Sequence, residues 1–126
     1  MEQAFDIEAA RVSYRQRQEA KRASRLKRWA HAEREAQQAV ALIVDRYQPL
    51  RVVQWGSVLK PERFTEVSDI DIAVEGIHDQ QIWSDMERDL EKLLTFPLDL
   101  VPLDRIRPEF RDQILARGKV VYERPQ

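Results

Sequence analysis

The first third of the chain sets the tightest limit on what it can fold into. From about Ala4 to Tyr47 there is no glycine or proline, and the segment is rich in alanine, arginine, glutamine and glutamate, which favour helix. Pro49 is the latest point at which such a helix can end. A continuous helix of this length would be on the order of 65 Å long. Because that exceeds the width of a small domain, we expect its first half to project, bend or break.

The second half of this helix carries an apolar stripe that predicts packing against a sheet. The side chains at near-helical spacing are Leu26, Ala30, Ala36, Val40, Ile43 and Tyr47.

The first half of the helix is strongly basic instead. Between Arg11 and Arg28 the chain has eight arginines and lysines and a single acid, Glu19. A run of this kind is a solvated helix face, a docking site for an acidic protein, or a binding site for nucleic acid phosphates. Few aromatic residues are interleaved and the rest of the chain is acid-rich, so nucleic acid is disfavoured as the partner.

Length and composition predict one domain. The 126 residues are 43% hydrophobic, which supports a modest core but not two. We therefore expect a basic, amphipathic helix over residues 1–50 that packs on a domain formed by residues 51–126. Cysteine is absent, no apolar run approaches the ~20 residues that span a bilayer, and the N-terminus is acidic. These features fit a cytoplasmic protein without a membrane segment.

Four short segments predict strands and two predict helices. The strands are Arg51–Trp55, Ile70–Val74, Leu98–Val101 and Lys119–Tyr122, the last of which is expected at an edge of the sheet. One helix runs from the N-cap Asp79 to about Leu94, with Ile82, Met86, Leu90 and Leu93 or Leu94 inward. The other opens at Pro108 and ends at Gly118, which is expected in the left-handed conformation. This order predicts an α/β fold: a small mixed sheet with helices on one side, preceded by the long helix.

Three aspartates stand among the aliphatic residues of two predicted strands. Alternation puts Asp69 and Asp71 on one strand face, about 6.5–7 Å apart. Like charges at that distance resist ionisation unless a cation neutralises them, and Mg²⁺ prefers such oxygen ligands. Asp99 lies in the second apolar run, and if the two strands pair it completes a three-carboxylate site.

Gly56 and Ser57 follow the first strand directly. A glycine there lets the backbone approach a phosphate closely, and the serine hydroxyl and successive amides can hold its oxygens. Lys60 and Ser68 each have two interpretations, a phosphate contact and a loop role. Trp55 likewise packs either in the core or against a nucleobase.

Two other uses of these residues are disfavoured. A calcium loop fails because Ala73 occupies its third ligand position and Gln80 the position of its bidentate glutamate. Ser57 lacks the second glycine of a hydrolase nucleophile elbow.

The Gly56-Ser57 turn, the segment from Ser68 to Val74 and the segment from Leu98 to Val101 together resemble the DNA polymerase β superfamily. The resemblance is greatest to the minimal nucleotidyltransferases, which include the antitoxins of HEPN toxin pairs, and it extends from about Val52 to Glu123. One departure is that eleven residues separate the serine from the first aspartate, where the family usually has ten.

The resemblance implies a site, a reaction and a partner. In the family, the Gly-Ser turn holds the triphosphate of an incoming nucleotide such as ATP, the aspartate pair binds two Mg²⁺ ions, and the third aspartate activates the attacking hydroxyl. The positions that this assigns are Gly56 and Ser57 for the nucleotide, and Asp69, Asp71 and Asp99 for metal and catalysis. Lys60 and Ser68 are further candidates for nucleotide contacts, from their places in the sequence.

The short chain also bears on the acceptor that the resemblance implies. It has no room for the extra helical domain of larger relatives, so part of the pocket is expected from another subunit, in a homo- or hetero-oligomer. This matches the antitoxins, which transfer AMP to a tyrosine of a HEPN toxin. An aminoglycoside-type enzyme and a non-catalytic binding antitoxin are the alternatives that stay open.

Overall fold

The structure is a computed structural model and describes residues 6–126. Three helices and four strands follow one another in the order α1, β1, β2, α2, β3, α3, β4, with two short 3₁₀ turns, Ser57–Leu59 and Pro61–Arg63, between β1 and β2. The helices are α1 (Ile7–Tyr47), α2 (Gln80–Leu93) and α3 (Pro108–Arg117). The strands are β1 (Arg51–Trp55), β2 (Ile70–Glu75), β3 (Leu98–Pro102) and β4 (Lys119–Glu123).

Helix α1 is one unbroken helix of 41 residues. Asp6 caps its start, since the carboxylate accepts a hydrogen bond from the Ala9 amide at 3.0 Å. The sequence placed the start at Ala4, which lies outside the described residues. At the other end Gln48 adopts a left-handed conformation with φ of 48°, and Pro49 prevents continuation. Although α1 is long, no helix within residues 6–126 is apolar enough to cross a bilayer.

Only the second half of α1 packs on the domain. Its fully buried stripe is formed by Ala32, Ala36, Ala39 and Ile43, and the small alanines let the helix axis approach the sheet closely. The prediction that Leu26 belongs to this stripe is wrong, because Leu26 is 39% exposed. The helix has left the domain at that point, so a residue at the correct angle has nothing to pack against.

The sheet is mixed and has the strand order β3-β2-β1-β4. Strand β1 pairs antiparallel with both β2 and β4, whereas β2 and β3 pair in parallel across the connection through α2. Asp79 caps α2 as predicted, accepting from the amides of Gln81 and Ile82. Of the predicted inward residues of α2, Met86 and Leu90 are fully buried, while Ile82 and Leu93 are exposed.

The two faces of the sheet are covered by different helices. Ile70, Ile72 and Val74 of β2 belong to the larger core, which includes the buried side chains of α1 and α2. The opposite face carries a smaller core formed by Val53, Ala73, Leu103 and Ile114. The predicted mixed α/β fold with a leading long helix is confirmed. The sequence placed the helices on one side, which holds for α1 and α2, while α3 covers part of the other face.

Gly118 ends α3 in an extended conformation, with φ of −84° and ψ of 178°. The predicted left-handed conformation is therefore wrong. Glycine is required for a different reason: a Cβ atom at this position would lie 2.5 Å from the Ile114 carbonyl oxygen and 2.7 Å from Val53 Cγ1. The absence of a side chain lets the end of α3 lie directly on β1.

A charged network fixes α3 at the far end of the sheet. The Glu75 carboxylate accepts from Arg51 at 2.9 Å and from Arg111 at 2.7 Å, and Arg111 also donates to the Leu103 carbonyl. Burial alone would raise the pKa of Glu75, but the two guanidinium groups together hold that pKa below its ordinary value. This network lies at the C-terminal ends of β2 and β3.

Candidate active site

The three predicted aspartates come together at the opposite end of the sheet, where strands β2 and β3 begin and strand β1 ends. Strand register places Trp55 opposite Asp71 on the antiparallel pair, and Asp71 opposite Asp99 on the parallel pair. Backbones of paired strands lie about 4.8 Å apart. Asp71 and Asp99 are thus direct neighbours, although 28 positions separate them in the sequence.

The side-chain directions also agree with the sequence analysis. Asp71 lies between Ile70 and Ile72, which both point into the core beneath α1 and α2. Its carboxylate therefore points to the other face of the sheet, and alternation puts Asp69 on that face as well. Asp71 and Asp69 are partly buried and Asp99 is exposed, so the cluster opens to solvent on one side.

The pKa of Asp71 reflects the proximity of the three aspartates. Burial and, to a lesser extent, the charges of Asp99 and Asp69 together raise the pKa of Asp71 to about 7. A cation bound beside Asp71 would stabilise its charged form. Carboxylate oxygens on an open face fit the requirements of Mg²⁺, which retains waters and substrate phosphates as further ligands.

The side chains are not arranged as a closed metal cage. Within residues 6–126, no group of three or more acidic, histidine or cysteine side chains is positioned to hold an ion by itself. A site completed by a nucleotide and water needs no such cage. The assignment of Asp69, Asp71 and Asp99 as metal ligands therefore stays a prediction, supported by the strand register.

Gly56 lies against the carboxylate of Asp71. Its φ of 81° and ψ of −160° suit glycine, and a Cβ atom there would be 2.0 Å from Asp71 Oδ2. The turn continues into Ser57–Leu59, where the Lys60 amide donates to the Ser57 carbonyl at 3.0 Å. The Gly-Ser turn and the acid cluster are therefore one contiguous site.

Ser68 and Lys60 lie in the loop between this turn and β2. The Ser68 hydroxyl accepts from the Thr65 amide at 2.9 Å and lies 3.3 Å from the Thr65 hydroxyl, so it closes the loop. Lys60 is exposed at the junction of the two 3₁₀ turns. The loop role is the one that the contacts of Ser68 support.

Trp55 packs partly buried against the smaller core, beside Val53 and Ala73. This contact supports the core interpretation over stacking on a nucleobase. Its indole Nε1 is buried and has no acceptor among the described residues.

Two residues of α1 that contact the site region escaped the sequence analysis. The Trp29 indole donates to the Val58 carbonyl, in the turn after Gly56, at 2.7 Å. The neighbouring Arg28 donates to the Glu66 carbonyl at 2.9 Å, in the loop that leads to the aspartates. Trp29 was detectable as an aromatic residue on the same line of the helix as Ala36 and Tyr47. Through these contacts α1 supports the turn of residues 56–59, which we call the phosphate turn after its predicted role, and the loop that follows it.

A small mixed sheet, with a Gly-Ser turn beside acids on neighbouring strands, defines a nucleotidyl-transfer domain. A family model described as "Polymerase beta, Nucleotidyltransferase" matches residues 37–126. The chain therefore belongs to the polymerase β nucleotidyltransferase family, and the resemblance found in the sequence is confirmed. No protein of curated function matches the sequence.

Three solved structures of one toxin–antitoxin pair share this fold. A chain of the MntA–HepT toxin–antitoxin structure is 22% identical, with 71% of each chain covered and a TM-score of 0.54. A form of that pair with a tyrosine replaced by alanine is 23% identical over 70% of this chain and 71% of the other, with a TM-score of 0.53. A form with two aspartates, one residue apart, replaced by glutamate is 20% identical over 71% and 73%, with a TM-score of 0.56.

Proposed function

We propose that this protein transfers AMP from ATP to a hydroxyl group of a protein partner, and that it acts as the antitoxin of a toxin–antitoxin pair. The observation that carries this proposal is the register of Asp71 with Asp99, directly beside Gly56. Family membership supplies the reaction class, nucleotidyl transfer.

The residues of the site divide the chemistry between them. Gly56 and Ser57 bind the triphosphate through backbone amides and the serine hydroxyl. Asp69 and Asp71, with Asp99, hold two Mg²⁺ ions, which when bound neutralise the phosphates and stabilise charge at the α-phosphorus. Asp99 accepts the proton of the acceptor hydroxyl, whose oxygen bonds to the α-phosphorus as the bond to pyrophosphate breaks.

The structural neighbours support the acceptor class. They are complexes of a toxin with an antitoxin, and one carries glutamates in place of two aspartates with the spacing of Asp69 and Asp71. Another lacks a tyrosine hydroxyl. A tyrosine of a HEPN-type toxin is accordingly the acceptor proposed here.

A labelling experiment tests the proposal. The purified protein is mixed with Mg²⁺, ATP labelled at the α-phosphate, and the protein encoded by the adjacent gene. We expect label on a tyrosine of that protein, dependent on Mg²⁺ and lost in Asp71→Asn and Asp99→Asn. Labelling by these variants at the wild-type rate would refute the catalytic assignment. Labelling of an aminoglycoside and not of the protein would refute the acceptor.

A further inference from the structure

The N-terminal half of α1, residues 7–27, stands free of the domain, and we refer to it as the arm. Every side chain from residue 14 to residue 27 is exposed, and Arg28 is the first residue to donate a hydrogen bond to another element. At 1.5 Å per residue the arm is about 30 Å long. The family match begins only at residue 37, so the arm is an addition to the family fold.

The arm projects past the edge of the sheet that bears the candidate site. The chain leaves α1 at the far end, where the Leu50 amide donates to the carbonyl of Glu75, the last residue of β2. Towards its N-terminus the helix crosses the sheet and reaches the phosphate turn, where Trp29 contacts Val58. The arm begins immediately beyond that contact, and a single helix carries it past the edge that bears the three aspartates.

Four of the basic residues of the arm are aligned along one side of the helix, while Arg17, Lys21 and Lys27 lie elsewhere around it. Basic residues there number seven, against two acids, Glu8 and Glu19. At 100° per residue, four arginines fall within a sector of about 80°, and Trp29 lies in the same sector. This arginine stripe consists of Arg11, Arg15, Arg22 and Arg25. It therefore continues the line of α1 that touches the phosphate turn.

We propose that the arm docks the protein acceptor, through an acidic surface on that partner, and so brings its hydroxyl to Asp99. The inference rests on the proposed function and adds the element that selects the partner. This row of exposed arginines, about 21 Å long at 1.5 Å per residue, attracts carboxylates over distances comparable to the ~8–10 Å screening length and steers association. The acceptor is thereby held outside the nucleotide site.

The distribution of charge favours a protein over a nucleic acid. A phosphate backbone running from the arm to the site would meet the three aspartates together with exposed Glu62 and Glu66 of the adjoining loop. The arm offers one aromatic side chain, Tyr14, as a stacking platform for bases. A protein surface can present carboxylates to the arm and an uncharged hydroxyl-bearing segment to the site.

A matched pair of charge-reversal variants tests the docking role. The arm variant carries Arg15→Glu, Arg22→Glu and Arg25→Glu. The control carries Arg88→Glu, Lys92→Glu and Lys119→Glu, which are exposed residues of α2 and β4 and change the net charge equally. With the adjacent-gene protein as acceptor, we expect the arm variant to raise the acceptor KM about tenfold, with the KM for ATP and kcat unchanged. The control variant should stay within twofold of the wild type.

Binding measurements separate this inference from the proposed function. Titration of the same partner at low and high salt needs no catalysis, and only the wild type and control should lose affinity steeply with salt. If both triple variants lost affinity for the partner equally, or if neither lost affinity, the docking role would be overturned even if transfer occurs. If single-stranded RNA inhibited partner binding at lower concentrations than poly-glutamate does, the proposal that the arm binds an acidic protein would be overturned. Salt-dependent, arm-dependent binding without any labelling would refute the reaction and leave the docking role standing.

Discussion

Asp71 destabilises the folded protein when no metal is bound. Burial raises its pKa from 3.8 to about 7, so between these pH values the folded state binds more protons than the unfolded state. The free energy of unfolding of the metal-free protein therefore falls as pH rises from about 4 to 7. We expect Asp71→Asn to be more stable than the wild type at pH 8, on the order of 1–2 kcal/mol after allowance for partial exposure, and equal to it near pH 4.

Urea denaturation in the presence of a chelator measures this effect. Asp112→Asn, at an exposed position of α3, is the control and should follow the wild type at every pH. Adding Mg²⁺ at pH 8 should stabilise the wild type more than Asp71→Asn, since an ion that binds only the folded state stabilises it. A wild type that is as stable as Asp71→Asn at pH 8 without metal would contradict the electrostatic account.

Gly56 offers a second test at the residue scale. In Gly56→Ala the new Cβ would overlap Asp71 Oδ2, and the positive φ adds strain, so we expect a loss of about 2–4 kcal/mol in stability together with loss of transfer. In Gly56→Ala/Asp71→Ala the overlap with the carboxylate is removed, and the φ strain and a close approach of 3.2 Å to the Cβ of residue 71 remain. Chemical denaturation should show partial recovery of stability in this double variant, without recovery of activity. If the double variant lost as much stability as the sum of the two single variants, the contact between Gly56 and Asp71 would be unimportant for stability.

The positions of the candidate site residues on their strands could be predicted because each depends on local pattern. Alternation alone put Asp69 and Asp71 on one face, and the position of Gly56 after a strand required only the strand end. The contact of Trp29 with Val58 could not be predicted, since it depends on where α1 crosses the sheet. The loop role of Ser68 was likewise left open because it is decided by a turn to Thr65 that either interpretation allowed.

At the scale of elements, Glu35 of α1 fastens the connection between α2 and β3. Its buried carboxylate accepts from the Thr95 amide at 2.7 Å, the Phe96 amide at 3.2 Å and the Thr95 hydroxyl. Burial acts to raise the pKa of Glu35, but these hydrogen bonds and His31 together lower it below 4.5. Its stabilising contribution is therefore present above about pH 4.5 and lost as pH falls through the lowered value.

We expect Glu35→Gln to lose about 1–3 kcal/mol of stability at pH 7, because a neutral amide accepts these bonds less well and brings an unmatched N–H group. The difference from the wild type should shrink below pH 4. Denaturation at both pH values measures this, with exposed Glu91→Gln of α2 as the control. A constant difference at both pH values would assign the effect to packing.

Trp29 links α1 to the phosphate turn and predicts a kinetic effect. Trp29→Phe keeps most of the packing but removes the hydrogen bond to the Val58 carbonyl, worth about 1 kcal/mol. We expect the KM for ATP to rise about fivefold while the melting temperature changes by a few degrees at most. The KM for the protein acceptor serves as the internal control and should not change. A rise in both KM values would show a general loosening of the site.

The bounds of most helices and strands could be predicted to within a residue or two. Which elements pack against one another was less predictable. Strand and helix bounds follow periodicity and caps such as Asp79, which act within one turn of chain. The side of the sheet that α3 covers is decided by contact of Ile114 and Gly118 with Val53, far away in the sequence. The exposure of Leu26 has the same origin, because a helical period continues unchanged beyond the edge of the domain.

At the scale of the whole molecule, the arm and the domain should be energetically separable. The arm contributes no buried side chain between residues 14 and 27, so among the described residues the deletion of residues 1–25 removes only solvated helix and leaves the stripe from Ala32 to Ile43 intact. We expect the melting temperature to change by only a few degrees, while affinity for the protein partner falls at least tenfold. Calorimetry and partner titration on the same preparation measure both quantities, and nucleotide binding should be retained as evidence of an intact site. If stability and partner affinity fell together, the arm would be part of the folding unit. That result would contradict the proposal that the arm docks the partner without stabilising the domain.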